Sequence, residues 1–341
     1  MRRLSRSIAA AAVAASLVLA AACGGSDDGG DSGADGALTK VTYNTSFGNF
    51  GRDAYAWVAK EKGFFKEAGF DVDIQPGGGT NAVVNNVLAG QAEFGVIDLT
   101  GGLLLMGKGE AKDLVVVAAI HQRTMAAILT LDGNGITTPK DLEGKKIADT
   151  PASVVRNLFP TYAKLAGVDA SKVQWVNGEP QALMQMLATG SVDAVGQFVV
   201  GKPTLEAIAK GKKAVFLPYS DVMTDLYGIV LVTSKKLATE QPEKVKKFTE
   251  ALLKGLEYAI DNPQEAGEIL KKHVPEANPQ AAAAELELMA PFVRSEGSGT
   301  AIGTLDSARV ARSIAILQGA GAIPAGLTPE QVVDFNLAPK A

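Results

Sequence analysis

The chain has 341 residues, 47% hydrophobic and 21% charged, and a formal net charge of −4. That length exceeds what one hydrophobic core usually organises, so two packed lobes are expected; the apolar fraction excludes a disordered chain, and the mild acidity gives no reason to expect nucleic acid. Two histidines and one cysteine argue against a His/Cys-ligated metal site and exclude an intrachain disulfide, so neither metal nor cofactor is expected. The first element is an address. Arg2, Arg3 and Arg6 precede an uncharged run from Ile8 to Ala22, the n-region and h-region of a secretory signal, shorter than the roughly 20 apolar residues that span a bilayer.

Cys23 follows Ala21-Ala22 and precedes Gly24-Gly25. This stretch resembles the lipobox of bacterial lipoproteins, with Leu19 four residues before the cysteine and Ala20 where leucine is commoner. The resemblance implies a signal peptide over 1–22, lipidation of Cys23, and a place at the outer face of the bacterial cytoplasmic membrane, held there by the lipid only. A buried free thiol is the other reading of Cys23, and its small and polar neighbours fit it poorly. Gly24 to Ala37 contains only Gly, Ser, Asp and Ala, so residues 23–37 read as a flexible tether. Loss of 1–22 takes three arginines from the net −4 and leaves about −7; Asp27, Asp28, Asp31 and Asp35 of the tether carry four of those charges, and the body is close to neutral.

From Val41 short apolar runs alternate with amphipathic stretches. Val41-Thr42-Tyr43 reads as a strand, Asp53–Lys62 as a helix stopping near Gly63, and Phe70, Val72 and Ile74 as a strand with one covered face. Thr80 or Asn81 can cap a helix with Val83, Val84, Val87 and Leu88 on one stripe. Phe94–Ile97 is a buried strand, followed by a glycine-rich turn, a short helix over Leu103–Gly107 and a strand over Leu114–Ile120. Met125–Leu131 restarts the pattern, with a helix start at Thr138-Pro139, a strand at Lys146–Ala148 and a helix over Ala152–Leu165 that Pro160 interrupts. Val173–Val176, Ala194–Phe198 and Ala214–Leu217 are further strands, and Ile229–Val232 returns to the first lobe. From Pro242 the chain is helical, broken at Asn262-Pro263, Asn278-Pro279 and Gly319–Pro324. The alternation favours two parallel α/β sheets covered by helices, the second lobe inserted into the first: 38–122 plus 228–341 as lobe 1, and 123–227 as lobe 2.

The run Ala56-Trp57-Val58-Ala59-Lys60-Glu61-Lys62-Gly63-Phe64-Phe65-Lys66-Glu67-Ala68-Gly69-Phe70-Asp71-Val72 is similar to an A-x-x-K-G-F-F-x-E-x-G-L-D-V signature. Leu88 to Gly95 is similar to L-x-x-G-x-A-D-F-G, Asp141 to Ile147 follows D-L-x-G-K-x-I, and Gly190 to Ala194 follows G-x-V-D-A. In this order and spacing they resemble the ABC-importer solute-binding proteins of the branch that takes nitrate, sulfonate, taurine and thiamine-precursor pyrimidines. The resemblance implies a two-lobed periplasmic-binding-protein-like α/β fold of type II, with a ligand cleft between the lobes and a helical C-terminal section. It implies no enzyme activity. A small-molecule ligand, an ABC permease and its ATPase are the expected partners of a monomer. The thiamine-precursor group often carries Trp-x-x-Asn-x-x-His after its first strand; here Asn44 to Asp53 lacks the histidine and ends in Arg52-Asp53, so pyrimidine specificity is not carried over.

Ligands of open α/β sheets sit beyond the strands' carboxyl ends. The first such loop offers Ser46, Phe47, Asn49, Phe50 and Arg52: the phenylalanines either stack on a flat ligand or pack under the loop, and Arg52 pairs with an acidic ligand or with Asp53. Gly78, Thr80 and Asn81 join a glycine-rich turn to a helix N-terminus, and Asp98, Leu99 and Thr100 follow the third strand. In lobe 2 the candidates are Thr150 and Ser153, Gln197 and Phe198, and Tyr219 and Tyr227; the serines and Asp98 serve equally as helix caps, and the tyrosines as packing. His121 and Gln122 fall at the first crossing and read as hinge residues. The sequence favours capture of a heteroaromatic, thiamine-precursor-like solute by lobe closure and its delivery to the permease. A sulfonate, taurine, nitrate or carboxylate anion is the alternative, and a signalling lipoprotein without transport a remote one. An enzyme is disfavoured because no Gly-x-Ser-x-Gly elbow is present, and because the eukaryotic pyrimidine synthase that shares these motifs depends on histidines and cysteines absent here.

Overall fold

The structure, a computed structural model, describes residues 37–151, 153–294 and 301–340. The expected signal segment, Cys23 and all of the tether except Ala37 lie outside the described residues. The first half runs β1 (Thr39–Asn44), β2 (Phe47–Gly48), α1 (Ala54–Glu61), α2 (Phe64–Glu67), β3 (Phe70–Gln75), β4 (Gly77–Gly78), α3 (Thr80–Leu88), β5 (Phe94–Asp98), α4 (Leu99–Gly107) and β6 (Leu114–Ala119). The middle adds β7 (Ala126–Leu131), β8 (Lys146–Asp149), α5 (Val154–Leu165), β9 (Gln174–Asn177), α6 (Leu183–Ala188), β10 (Ala194–Phe198), α7 (Lys202–Ile208), β11 (Ala214–Pro218) and β12 (Ile229–Ser234). Helices α8 (Lys235–Glu240), α9 (Pro242–Asp261), α10 (Pro263–His273), α11 (Pro279–Val293), α12 (Ser307–Gly319) and α13 (Pro329–Val332) complete it.

Two five-stranded sheets form, ordered β3-β1-β5-β12-β6 and β11-β7-β10-β8-β9. Each is parallel except for one inserted strand. β12 runs antiparallel between β5 and β6, and β7 runs antiparallel between β10 and β11. Those inserted strands explain the two crossings. The chain leaves β6 at its carboxyl end and enters β7, and it leaves β11 at its carboxyl end and enters β12. Both crossings therefore join the carboxyl edge of one sheet to the carboxyl edge of the other, which sets those edges facing each other.

Strands β5, β6, β7 and β12 are buried on both faces, as their continuous apolar runs require, while the outer strands β3 and β9 keep exposed positions. Along β6, Val115 and Val117 enter one hydrophobic cluster and Val116 the other, the two-residue period of a strand. Phe248 of α9 anchors the helical section to the first sheet: its ring stacks on Phe94 at 3.9 Å and on Phe65 at 5.2 Å, with Tyr43 and Phe70 each at 6.0 Å.

Several local expectations are corrected. Pro160 does not interrupt α5; it lies on the exposed side, where the carbonyl it leaves unbonded can meet water. The glycine-rich segment before Leu103 is helical, because the Asp98 carboxylate accepts from the Thr100 and Gly101 amides and starts α4 there. Neither Thr80 nor Asn81 caps α3: Gly79 does, at φ +90°, a conformation that favours glycine. Thr138-Pro139 opens only one 3-10 turn, Pro139–Leu142.

Candidate functional site

The carboxyl edge of the first sheet is built from four loops knitted by backbone contacts. Gly79 N donates to Ser46 O at 3.0 Å and Gly77 N to Thr45 Oγ1 at 3.0 Å, so the antiparallel β2–β4 pair sits directly over the end of β1. Gly77 has no room for a side chain, since a Cβ there would stand 1.9 Å from Thr45 O. The start of α4 lies beside α3, with Gly101 facing the Thr80 side chain. Leu99 N donates to Gly228 O at 2.9 Å, and Gly228 N donates to His121 O at 3.2 Å, which places the end of β5 and both crossings together.

Ser46, Phe47, Asn49, Phe50, Arg52, Gly78, Thr80, Asp98, Leu99, Thr100 and His121 thus share one edge. Phe47 and Phe50 stack nearly parallel, 6.4 Å apart, and remain 40% and 42% exposed. Asn81 is exposed on α3. Arg52 lies 4.6 Å from the Phe50 ring centroid and 6.0 Å from that of Phe198 at the end of β10, so it reaches from the first sheet's edge to the second's. Its Nε is 3.8 Å from Asp53 Oδ2, the ion pair that was one of its two sequence readings.

Burial sets the electrostatics here. Asp53 is pushed up to about 6 by burial, against the pull of Arg52 and of its bonds to Ser46 and Phe50. Asp98 is pushed up to about 7 by burial, against the Gly101 and Thr100 amides and the Thr100 hydroxyl. His121 is held down to about 3 by burial and by the charge of Arg52, so it is neutral at pH 7. Several polar atoms buried on this edge have no partner of good geometry: the acceptors Asn49 Oδ1, Asp53 Oδ2 and Asp98 Oδ2, and the donor His121 Nε2, which carries the ring hydrogen because Nδ1 accepts from Ile229 N at 3.4 Å. Leaving such atoms unpaired costs stability, which is why they point to a missing partner.

The second sheet's edge is different. Asp149, pushed up to about 6 by burial, accepts from the Ser153 hydroxyl and from Thr150 N at 2.7 Å, and Ser153 Oγ in turn accepts from Arg156 N at 3.0 Å. Ser153 is therefore the cap of α5. Gln197 Oε1 accepts from Phe198 N at 3.0 Å. Tyr219 is withdrawn from the cleft: its ring stacks 4.2 Å from Tyr162 in the core and its hydroxyl donates to Val155 O at 3.0 Å. The Tyr227 hydroxyl accepts from Asp306 N at 2.9 Å, which commits it to the crossing. Gln122 donates from Nε2 to Thr304 O at 3.0 Å.

Sequence reasoning missed Glu285. It lies on the buried stripe of α11 among Ala282, Leu286 and Met289, and its Oε2 accepts from Arg52 N at 3.0 Å; a glutamate in an apolar stripe was the available signal. Burial raises it, against Arg52. Surface grooves of about 230 and 380 Å³ lie along α2 and α9 around Phe64 and Lys254 and share no residue with this edge. Among the described residues no group of three His, Cys, Asp or Glu is placed to hold a metal ion, and no helix is long and apolar enough to cross a membrane.

The profile of the "NMT1/THI5 like" family matches residues 54–266, well over half of the chain. The chain belongs to the NMT1/THI5-like family. A formylaminopyrimidine-binding protein of Halalkalibacterium halodurans is 26% identical over 228 residues, 66% of this chain and 67% of that protein. A 4-amino-5-hydroxymethyl-2-methylpyrimidine phosphate synthase of Legionella pneumophila is 23% identical over 227 residues, 64% of this chain and 69% of that one. Among solved structures, the periplasmic aliphatic sulphonate-binding protein of Escherichia coli superposes with a TM-score of 0.70 at 15% identity, covering 86% of this NMT1/THI5-like chain and 92% of its own. That likeness establishes the periplasmic-binding-protein fold, two α/β lobes with a helical C-terminal region.

Proposed function

We propose that this NMT1/THI5-like chain is the extracytoplasmic solute-binding component of an ABC importer and captures a flat, donor-rich heteroaromatic solute. Lobe 1 (38–122 plus 228–341) and lobe 2 (123–227) close on the ligand and present it to the permease, with no chemistry of their own. The reading takes the chain as a monomer held at the outer face of the membrane by a lipid on Cys23.

One observation carries the ligand class. Asn49 Oδ1, Asp53 Oδ2 and Asp98 Oδ2 are buried without a hydrogen bond of good geometry; the amide oxygen and the ionised carboxylates accept only, so they suit a ligand that presents N–H groups. The exposed Phe47–Phe50 pair beside them suits a flat ring. An anion, the second reading, is favoured by Arg52 and by the sulphonate-binding structural neighbour. Against it, Asp98 already occupies the first-turn amides of α4, and the carboxylates of Asp53, Asp98 and Glu285 line the same edge.

The test is a thermal-shift series on the folded, ligand-free protein with formylaminopyrimidine, other aminopyrimidines, taurine, an alkanesulfonate and nitrate. Ligand at a hundredfold excess over its dissociation constant stabilises the native state by about 2.7 kcal/mol. A shift with the aminopyrimidines alone supports the reading, and a shift with the anions alone overturns it.

A further inference from the structure

One side chain far along the chain holds both crossings at once. Arg309 lies in the first turn of α12, where its backbone N donates to Asp306 Oδ1 at 2.7 Å. Its guanidinium donates from Nε to Asp225 O at 3.2 Å, from Nη2 to Thr224 O at 3.2 Å and also to Gln122 O, and from Nη1 to Gln122 Oε1 at 3.4 Å. Its Cζ lies 4.0 Å from the centroid of the Tyr227 ring. Gln122 belongs to the first crossing, and Thr224, Asp225 and Tyr227 belong to the second. The neighbouring Arg312 touches only the second: it forms a two-pronged pair with the Asp225 carboxylate at 2.9 and 3.0 Å.

The chemistry of this contact is unusual for a packing residue. The Arg309 charge is half-buried against neutral carbonyls and a ring, while the nearest crossing carboxylate is taken by Arg312; burial lowers the affinity of Arg309 for its proton. A guanidinium offers five donors in a rigid plane, which lets one group bond several carbonyls in fixed directions. The helix that carries it is itself fixed, because Val310, Ile314 and Leu317 of α12 enter the same hydrophobic cluster as Val230 and Val232 of β12. A hinge moves by changing φ and ψ at a few crossing residues, and each such change swings a carbonyl. With Gln122 O and Thr224 O on one guanidinium, neither crossing turns without the other.

We infer that Arg309 is a positioning residue that fixes the resting angle between the lobes and couples the two crossings into one hinge. This goes beyond the proposed function and requires no ligand to test.

The experiment uses the full chain with Cys23→Ser, spin-labelled at Lys66→Cys on α2 and Lys164→Cys on α5, both exposed positions. The interlobe distance distribution is measured by pulsed electron resonance without ligand. Arg309→Ala is expected to shift its mean or at least double its width. Arg309→Lys, one donor head in place of a planar fork, should fall between Arg309→Ala and the parent, while Arg312→Ala leaves the distribution unchanged. If Arg309→Ala does not fold, Arg309→Lys alone decides. A variant with native circular dichroism and a lower Tm but an unchanged distribution makes Arg309 an ordinary stabilising contact and overturns the inference. An equal broadening in Arg312→Ala overturns it too, because the effect then belongs to α12 as a whole.

Discussion

The two carboxyl edges face each other, are built on the same strand plan, and differ in how their polar groups are satisfied. On the first edge, buried oxygens of Asn49, Asp53 and Asp98 and one nitrogen of His121 lack good partners. On the second edge, the buried acid Asp149 is bonded to Ser153 and Thr150, the Tyr219 hydroxyl to Val155 O, and no side-chain atom among the described residues of that edge is left buried and unpaired. A fully satisfied buried network rigidifies its surroundings, whereas unpaired buried groups are costly unless a partner meets them. On the proposed function, the first lobe would read the solute and the second would be the wall that closes on it.

The largest effect expected from breaking this contrast falls on the second edge. Gly196 of β10 leaves no space: a Cβ there would stand 2.1 Å from Asp149 Oδ2 and 3.1 Å from a methyl of Val155. Gly196→Ala should therefore overpack the site and disrupt the Asp149–Ser153 bond, costing about 3 kcal/mol. Denaturant titration measures it. A loss below about 0.5 kcal/mol would mean that this edge yields easily and is not the rigid wall.

The next effect is a pH dependence on the first edge. Asp98 sits near 7 in the folded protein against an ordinary carboxyl near 4, so the native state binds more protons than the unfolded one between those values. Stability therefore falls as pH rises from about 4 to about 7, by up to about 1.4 kcal/mol per pH unit for this group. Asp98→Asn removes this group's share of the slope, leaving the shares of Asp53 and Asp149 that end near pH 6, and, because asparagine also caps helices well, keeps α4 intact. A ligand that donates to the ionised carboxylate binds more tightly as pH rises toward 7 and releases a proton on binding. Calorimetry in two buffers of different ionisation enthalpy detects that release, and its absence would assign Asp98 to capping alone.

Ser153→Ala gives a smaller change. Ser153 caps α5, so its loss costs about 1 kcal/mol of stability. Because its hydroxyl is already bonded to Asp149, ligand affinity in the folded variant should change less than threefold. A tenfold loss of affinity would put the second edge in contact with the ligand and erase the contrast.

How much of this was legible follows from what a period can encode. Apolar runs at two-residue and 3.6-residue spacing marked nearly every strand and long helix, and the return of the chain at Ile229 was visible as one more buried run. The antiparallel placement of β7 and β12 was not, because strand direction leaves no mark on hydrophobicity. Asp98 stood out as an acid between a buried strand and a helix. Which of its two roles prevails depends on an oxygen's surroundings, which three loops far apart in sequence supply. Tyr219 was left open for the same reason: a tyrosine near a crossing looks alike from the sequence whether it faces the cleft or stacks on Tyr162, as it does. Arg309 gave no signal, since its partners lie more than 80 positions away and are mostly backbone carbonyls.

The finest test concerns the aromatic pair. Phe47 and Phe50 stack on each other yet stay about two-fifths exposed, and the edge of Phe47 rests beside Gly79. A half-exposed pair of this kind contributes about 0.5–1 kcal/mol to folding, so packing alone is weak reason to hold two phenylalanines in water. Phe47→Ala should lower Tm by no more than a few degrees. If the pair offers its outer face to a flat ring, the same change should weaken aminopyrimidine binding about tenfold while leaving the pH slope of Asp98 untouched. If affinity is unaltered and stability falls by more than 2 kcal/mol, the phenylalanines serve the β2–β4 pair over β1, and the first edge would recognise its solute through its acceptors alone.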